Sequence, residues 1–270
     1  MAERNEPVAE GVFALRCQEL KKSFQGVMAV TGATFDVPQG MITALIGPNG
    51  AGKTTVVNIL SGMMKSDSGH MQIGSTDITN WESHKIARMG LMRTFQLSRE
   101  LGGLTVLENL LVAPQHQSGE SLFNIFFRPG RAKREERENT ERALEILNTY
   151  GLYDLRDKRS RELSGGQKKL LEIARGVMAS PKILLLDEPM AGVNPALIDR
   201  IGGYIMDLKA QGMTIVMVEH NLNVVEQICD HVIVLAEGRT LATGRLSELR
   251  ENKEVVKAYL GEVIDASSTR

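Results

Sequence analysis

Residues 47–55, GPNGAGKTT, have the composition and spacing of a loop that could hold phosphate. Glycines such as Gly47 and Gly52 let backbone N–H groups turn toward phosphate oxygens, and a helix starting behind them adds a favourable dipole. Lys53 could reach the β- and γ-phosphates of a nucleotide, and the Thr54 hydroxyl could ligate Mg²⁺. The alternative is a glycine-rich turn with a chance lysine, but a strand before the loop and a helix after it favour phosphate binding.

Two carboxylates, Asp187 and Glu188, end the apolar run KILLLDEP (182–189). They would lie at the carboxyl end of a buried strand, where open α/β sheets bind ligands. Neighbouring strand residues point to opposite faces, so we expect different tasks, Mg²⁺ for Asp187 and the attacking water for Glu188. The alternative is a helix start that merely favours acidic residues, and the phosphate loop elsewhere in the chain favours the paired assignment.

The stretch LSGGQKKLLEIARG (163–176) predicts the start of a helix. Ser164 and Gln167 have the spacing of a capping box, in which each side chain satisfies the backbone N–H of the other. Apolar residues then recur at helical spacing. Taken alone, this stretch indicates a capped helix after a Gly-Gly turn.

Three further residues could contact a nucleotide, each with a structural alternative. His220, at the end of TIVMVEH (214–220), could contact the γ-phosphate and organise the attacking water, but a histidine at a strand end is more often structural. Gln96, in RTFQ, could ligate Mg²⁺ or position water, but most glutamines face solvent. Phe24 could stack on adenine, but an aromatic residue in a β region more often packs in the core.

These residues need a sheet to position them, and short apolar runs predict its strands. Helical patterns lie between and after the runs, which predicts an α/β fold with βα units around a mostly parallel sheet. The predicted strands are FALRC (13–17), ATFDV (33–37), MITALI (41–46), KILLLDEP, TIVMVEH and HVIVL (231–235).

The middle of the chain has a different composition. Residues 97–178 show no convincing strand and several helical patterns, among them the charged run RPGRAKREEREN (128–139), which we expect on a solvated helix face. We therefore predict an inserted helical subdomain over 97–178, a core formed by 1–96 plus 179–250, and a terminal helix and tail over 251–270.

The bulk composition narrows the function classes. The chain has 270 residues, 42% of them hydrophobic and 24% charged, with a net charge of −1, which gives no general drive toward nucleic acid or anionic lipid. The two cysteines, Cys17 and Cys229, lack metal-ligand spacing, which suits a reducing cytosol. The first residues do not resemble a signal peptide, and no apolar run approaches the ~20 residues that cross a bilayer. If the protein works at a membrane, we expect a partner to hold it there.

The order of the motifs GPNGAGKTT, RTFQ, LSGGQ, LLLDEP, AGVNP and VEH resembles that of the ATP-binding-cassette (ABC) ATPases over nearly the whole chain. The resemblance implies a P-loop NTPase (RecA-like) fold with an antiparallel β subdomain and the helical insertion. It implies that Glu188 is the catalytic base, His220 the γ-phosphate switch and Phe24 the adenine-stacking residue. It assigns Mg²⁺ to Thr54, Gln96 and Asp187. The triphosphate contacts would be Gly47, Pro48, Asn49, Gly50, Ala51, Gly52, Lys53, Thr54 and Thr55.

The resemblance also implies a head-to-tail pair of such chains, with each ATP between the phosphate loop of one and LSGGQ of the other. The hydroxyl of Ser164 and the amides of Gly165 and Gly166 lie at a helix start and could donate to a γ-phosphate. Capping and phosphate binding would compete for that hydroxyl. The contacts with the nucleotide of the partner would be Ser164, Gly165, Gly166 and Gln167.

More narrowly, the chain resembles the ATPase subunit of an importer for branched-chain or other hydrophobic amino acids. The resemblance rests on ARMGLMRTFQ (87–96), the long segment before LSGGQ, AGVNP (191–195) and AYLGE (258–262). It implies a homologous ATPase subunit as partner (a heterodimer is favoured, a homodimer possible), two integral membrane permease subunits and, indirectly, a solute-binding protein, with no nucleic acid. The subunit would be peripheral, on the cytoplasmic face of the membrane. Asn194 departs from the broad family pattern, which has Asp there.

Several alternatives stay open at this stage. Export of lipopolysaccharide, or import of urea or aromatic acids, would use a nearly identical subunit. A soluble cassette ATPase in assembly, for instance in iron–sulfur cluster biogenesis, belongs to another class. The segment LFNIFF (122–127) would contact a membrane subunit or pack inside the helical subdomain.

Overall fold

A computed structural model describes residues 12–94, 99–114 and 129–258. These residues divide into two compact units. The first unit lies within Met1–Met89 and Leu208–Arg270, and the second within Gly90–Asp207. The second unit includes strands as well as helices, so its bounds are not those of the helical subdomain expected over 97–178, and the domain division stays a prediction.

The bounds of the strands and helices follow in chain order. The strands are β1 (Phe13–Phe24), β2 (Val27–Pro38), β3 (Ile42–Ile46), β4 (Ser68–Ile73), β5 (Thr76–Asp77), β6 (Leu91–Arg93), β7 (Ile183–Asp187), β8 (Thr214–Val218), β9 (His231–Ala236) and β10 (Arg239–Gly244). The helices are α1 (Lys53–Leu60), α2 (Ser83–Met89), α3 (Val106–Leu111), α4 (Pro129–Thr149), α5 (Gly165–Met178), α6 (Pro195–Ala210), α7 (Leu222–Ile228) and α8 (Leu246–Leu249). No helix of the described residues is long and apolar enough to span a bilayer.

The strands of the first unit lie in the order β5-β4-β1-β2-β10-β9-β3-β8. The pairs β1–β2, β1–β4, β4–β5 and β9–β10 are antiparallel, whereas β3 runs parallel to both β8 and β9. All residues of β3 and of β8 are buried, which explains why each strand is apolar except for one threonine. Their carboxyl ends deliver the phosphate loop and His220, respectively.

The second unit combines the parallel pair β6–β7 with helices α3 to α5. In α4, Arg134 and Arg137 are exposed and form ion pairs one turn along the helix with Glu138 and Glu141, while Ala143 and Leu147 are fully buried. This helix is therefore amphipathic, with a solvated first half, as the sequence predicts.

Strand prediction from apolar runs found the buried strands and missed four others. The sequence of β4, SGHMQI, alternates in burial and is mostly polar, and β10, RTLATG, has little apolar content. β5 and β6 are too short to show a period. β1 also extends beyond FALRC to Phe24, because its polar second half pairs with β2. The segment LFNIFF lies outside the described residues.

Candidate functional site

The phosphate loop connects β3 to α1, and two of its glycines are required by close packing. Gly47 has φ 152°, and a Cβ atom there would lie 2.1 Å from the carbonyl oxygen of Leu235. Gly52 has φ 92°, and a Cβ atom would lie 2.5 Å from the carbonyl oxygen of Ala29. Neighbouring strands β2 and β9 therefore press against both ends of the loop, and any side chain there would force the backbone apart.

Lys53 lies against the loop that it follows. Its side-chain Nζ donates to the carbonyl oxygens of Gly47 (2.7 Å) and Pro48 (2.8 Å), and the residue is only 7% exposed. No side chain caps the start of α1, because Gly52 occupies the N-cap position. Uncapped N–H groups at a helix start, with a buried ammonium beside them, form a site suited to binding an anion. Thr54 is exposed on the first turn, where its hydroxyl could face a metal ion.

Two other predicted contacts lie in the first unit. His220 is exposed directly after β8, and its backbone N–H donates to the carboxylate of the buried Glu219 at 3.2 Å. Phe24 ends β1 and is 43% exposed, so its ring is open to stacking rather than packed in the core. The side chain of Lys22 lies 5.8 Å from the centre of that ring.

Asp187 ends β7 in the second unit and is paired with an arginine that the motif analysis did not identify. Nη2 of Arg93 donates to Oδ2 of Asp187 at 2.6 Å, with the arginine side chain 9% exposed and the aspartate 31%. The pairing follows from the sheet, because Arg93 ends β6, which runs parallel to β7.

Glu188 follows with an unusual backbone. Its φ is 49°, in the left-handed region that residues with a side chain rarely adopt. Its carbonyl oxygen accepts hydrogen bonds from the backbone N–H of Ala191 (3.2 Å) and from Nζ of Lys169 (3.0 Å). Lys169 also lies 4.0 Å from the carboxylate of Glu172. Burial raises the pKa of Glu172, and the nearby charges of Lys169 and Arg175 only partly oppose that shift.

The predicted capping box at the start of α5 is confirmed. The Ser164 hydroxyl accepts from the N–H of Gln167 (3.3 Å), and the Gln167 side-chain oxygen accepts from the N–H of Ser164 (2.9 Å). Gly165 is exposed, with no atom within 4 Å of a Cβ placed on it, whereas a Cβ on Gly166 would lie 2.4 Å from Cδ2 of Leu197. A cavity of about 480 Å³ opens beside this helix start, lined among others by Ser164, Gln167, Leu197 and Arg200.

Asn194 has a local structural role at the start of α6. Its side-chain oxygen accepts from the N–H of Leu197 at 2.9 Å, and Pro195 occupies the first helical position. Asparagine caps a helix as well as aspartate does. The asparagine at position 194, where many family members have aspartate, therefore retains the helix cap but carries no charge.

The structure thus sorts the predicted site residues by unit. The first unit holds the phosphate loop, Phe24 and His220, and the second holds Asp187, Glu188 and the residues 164–167. Gln96 lies outside the described residues. The motif analysis missed Arg93, Lys169, Glu172 and Glu219. One sequence signal for such residues is a charged side chain on the apolar face of a helix, as at Glu172, because a buried carboxylate needs charged or polar partners.

A buried parallel strand, the glycine-rich loop and α1 define the first unit as a P-loop nucleotide-binding fold. The sequence model of the ABC transporter family matches residues 30–191. The chain belongs to this family, and the predicted family, fold class and ATP-hydrolysing activity are confirmed.

Two relatives are similar over almost their whole length. The probable branched-chain amino acid transport ATP-binding protein LivG of Archaeoglobus fulgidus is 43% identical over 247 residues, covering 92% of this chain and 95% of the relative. The high-affinity branched-chain amino acid transport ATP-binding protein BraF of Pseudomonas aeruginosa is 38% identical over 249 residues, covering 92% of this chain and 98% of the relative.

Two solved structures share the fold. A nucleotide-free ATP-binding cassette from an ABC transporter has a TM-score of 0.80 at 38% identity and covers 92% of this chain and 98% of its own. The ADP conformation of an ATP-binding cassette has a TM-score of 0.79 at 38% identity and covers 92% of this chain and 99% of its own.

Proposed function

We propose that this chain is the ATP-hydrolysing motor subunit of an importer for branched-chain or other hydrophobic amino acids. The observation that carries the solute class is the similarity, over more than nine-tenths of both chains, to ATP-binding proteins of branched-chain amino acid transport. The geometry of the phosphate loop supports nucleotide binding independently of that similarity.

In the first unit, the backbone of residues 47–55 binds the triphosphate, and Lys53 exchanges its loop carbonyls for phosphate oxygens. The exposed ring of Phe24 stacks on adenine. The exposed imidazole of His220 contacts the γ-phosphate, and the buried carboxylate of Glu219 fixes the backbone at that position.

In the second unit, Glu188 accepts a proton from the attacking water and acts as general base. Asp187 would be the ligand of this unit for Mg²⁺, because carboxylate oxygens are ligands that this ion prefers. Mg²⁺ when bound would neutralise charge that develops on the phosphate oxygens. Arg93 keeps the carboxylate of Asp187 in place at the end of β7.

The working assembly contains a second, homologous ATPase subunit, and a heterodimer is the favoured pair. Ser164, Gly165, Gly166 and Gln167 would contact the nucleotide held by that partner. ATP-driven closure of the pair would act on two membrane permease subunits, which hold the chain at the cytoplasmic face of the membrane and receive solute from a binding protein.

The test is uptake by proteoliposomes that contain the chain, a homologous ATPase subunit and two permease subunits, with a solute-binding protein outside. Uptake of radiolabelled leucine should require ATP on the side of the ATPases and binding protein on the other. The matched control is Glu188→Gln, which should still bind ATP but lower turnover by ~10²-fold or more, because it removes the general base.

Leucine uptake with the glutamine variant at the rate of the wild type would refute the role of Glu188. Uptake of urea or an aromatic acid in place of leucine would refute the solute class. Recovery of the chain only in a complex without membrane proteins would instead favour an assembly ATPase.

A further inference from the structure

The turn that follows β7 holds Glu188 in a conformation that the residue does not favour by itself. A left-handed backbone is sterically unfavourable for a residue with a Cβ atom, and such a conformation persists only where the surroundings hold it. The turn continues into Pro189 and Met190, both buried. Because the φ angle of Glu188 sets the direction of its Cα–Cβ bond, whatever fixes this angle also aims the carboxylate.

One group that fixes it comes from another element. The carbonyl oxygen of Glu188 accepts the N–H of Ala191, which closes the turn, and also accepts Nζ of Lys169, which lies on α5. The bond from Lys169 is charge-assisted, and such bonds are stronger than those between neutral groups. It therefore ties the backbone of the proposed base to α5.

The ammonium of Lys169 is itself held in position. The lysine side chain is 15% exposed, and the carboxylate of Glu172, one turn further along α5 and 4.0 Å away, is 6% exposed. A charge removed from water in this way needs charged or polar partners. The ammonium of Lys169 has these partners in the carboxylate of Glu172 and the carbonyl oxygen of Glu188, so the lysine side chain has little freedom to move into solvent.

We infer that Lys169 is a positioning residue for Glu188, which holds the left-handed backbone that aims the carboxylate at the attacking water. This inference rests on the proposed role of Glu188 as general base. It also joins that base to the helix that begins at Ser164, five residues before Lys169.

The direct test compares Lys169→Met with Lys168→Met, its neighbour on α5, in the full chain. Hydrogen–deuterium exchange of the backbone amides of Met190 and Ala191 should rise at least about tenfold in Lys169→Met and stay unchanged in Lys168→Met, because only the first variant removes a bond to the turn. Unchanged exchange in both variants would overturn the inference.

The kinetic test separates positioning from general stabilisation of the fold. Lys169→Met should lower kcat by ~10–10²-fold, as expected for a misplaced catalytic group, with ATP affinity within about twofold of the wild type. Lys169→Arg should restore most of the rate, since it keeps a cationic donor. If Lys169→Met does not fold, Lys169→Gln keeps a neutral donor and should give an intermediate rate.

A double variant distinguishes this inference from the proposed function. If Lys169 acts through the carboxylate of Glu188, adding Lys169→Met to Glu188→Gln should lower the residual rate by less than about twofold. A further loss equal to that of the single lysine variant would mean that Lys169 acts elsewhere, and the inference would be wrong. Full turnover in Glu188→Gln alone would overturn the role of Glu188 instead.

Discussion

At the scale of single residues, Arg93 and Asp187 form a largely buried ion pair in the second unit, next to the proposed catalytic base. The guanidinium is almost fully buried and the carboxylate about two-thirds buried. A buried cation without its carboxylate would lose both the charge interaction and a hydrogen bond, so the two residues depend on each other.

Replacing Arg93 by methionine should therefore destabilise the chain. We expect a loss of about 1–3 kcal/mol in the free energy of unfolding, because a charged hydrogen bond is lost and Asp187 is left half-buried without this partner. Urea unfolding in the absence of nucleotide measures the loss. Arg134→Met removes an exposed ion pair on α4 and should change little. Equal losses in the two variants would show that burial of the pair does not matter.

Sequence reasoning at this scale predicts the residues that would do the chemistry and does not predict the contacts that hold them. GPNGAGKTT and LLLDEP were recognisable because phosphate and metal chemistry requires particular residues at fixed spacing along the chain. The bond from Arg93 to Asp187 depends on the pairing of β6 with β7, and β6 has only three residues. The bond from Lys169 to Glu188 depends on how α5 packs beside a turn. Neither leaves a local pattern in the sequence.

At the scale of elements, Asp67 holds the end of β1, where Phe24 lies, against the segment that leads into β4. Its carboxylate accepts bonds from Nζ of Lys22 (2.6 Å), the N–H of Ser23 (2.7 Å) and the hydroxyl of Ser23 (2.8 Å). These bonds, led by the one from Lys22, lower the pKa of Asp67 from 3.8 to about 2. The position of Phe24, the proposed adenine-stacking residue, thus depends on a carboxylate 43 positions further along the chain.

Substituting Asp67→Asn should give a pH-dependent loss of stability. A carboxyl group with a lowered pKa in the folded state stabilises the fold above its unfolded pKa, and this stabilisation disappears as pH falls through the folded value. The variant should therefore be less stable than the wild type at pH 7, and the difference should shrink as pH falls from about 4 toward 2.

Denaturant titrations at several pH values measure this difference. Asp154→Asn, at an exposed position, is the control and should give a small difference that does not vary with pH. If the free energies of unfolding of Asp67→Asn and the wild type differed by the same amount at every pH in this range, the ionised carboxylate of Asp67 would not be the source of the stabilisation.

The elements themselves were predictable to different degrees. Strands buried on both faces, such as β3 and β8, appear as nearly unbroken apolar runs, and their prediction needs no knowledge of the fold. The edge strand β5, its neighbour β4 and the polar half of β1 form because partner strands satisfy their backbone groups, and composition does not reveal those partners.

At the scale of the whole molecule, the surface at the start of α5 is accessible to a binding partner. Ser164 and Gly165 are exposed, and the capping box satisfies the helix start without a ligand. We expect a second ATPase subunit to bring a nucleotide to this surface, and the Ser164 hydroxyl then to exchange its capping bond for a phosphate oxygen.

Ser164→Arg tests this expectation. The bulkier side chain should block the approach of the partner, so turnover by the assembled complex should be lost, while ATP binding to the isolated chain should stay within about twofold of the wild type. Ser164→Ala removes the cap, at a cost of about 1 kcal/mol, without adding bulk and serves as the control. Nucleotide titration of the isolated chain and turnover of the complex are the two measurements. Loss of binding by the isolated arginine variant would contradict a contact made with the partner's nucleotide.

The left-handed backbone at Glu188 has a consequence for the evolution and engineering of this chain. Glycine adopts that conformation without steric penalty, so selection for stability alone would favour glycine there. The carboxylate instead occupies a site where the side chain works against folding. With Glu188 as the proposed base, stability and turnover are opposed at this position, and a screen for thermostable variants would be expected to accumulate inactive ones there.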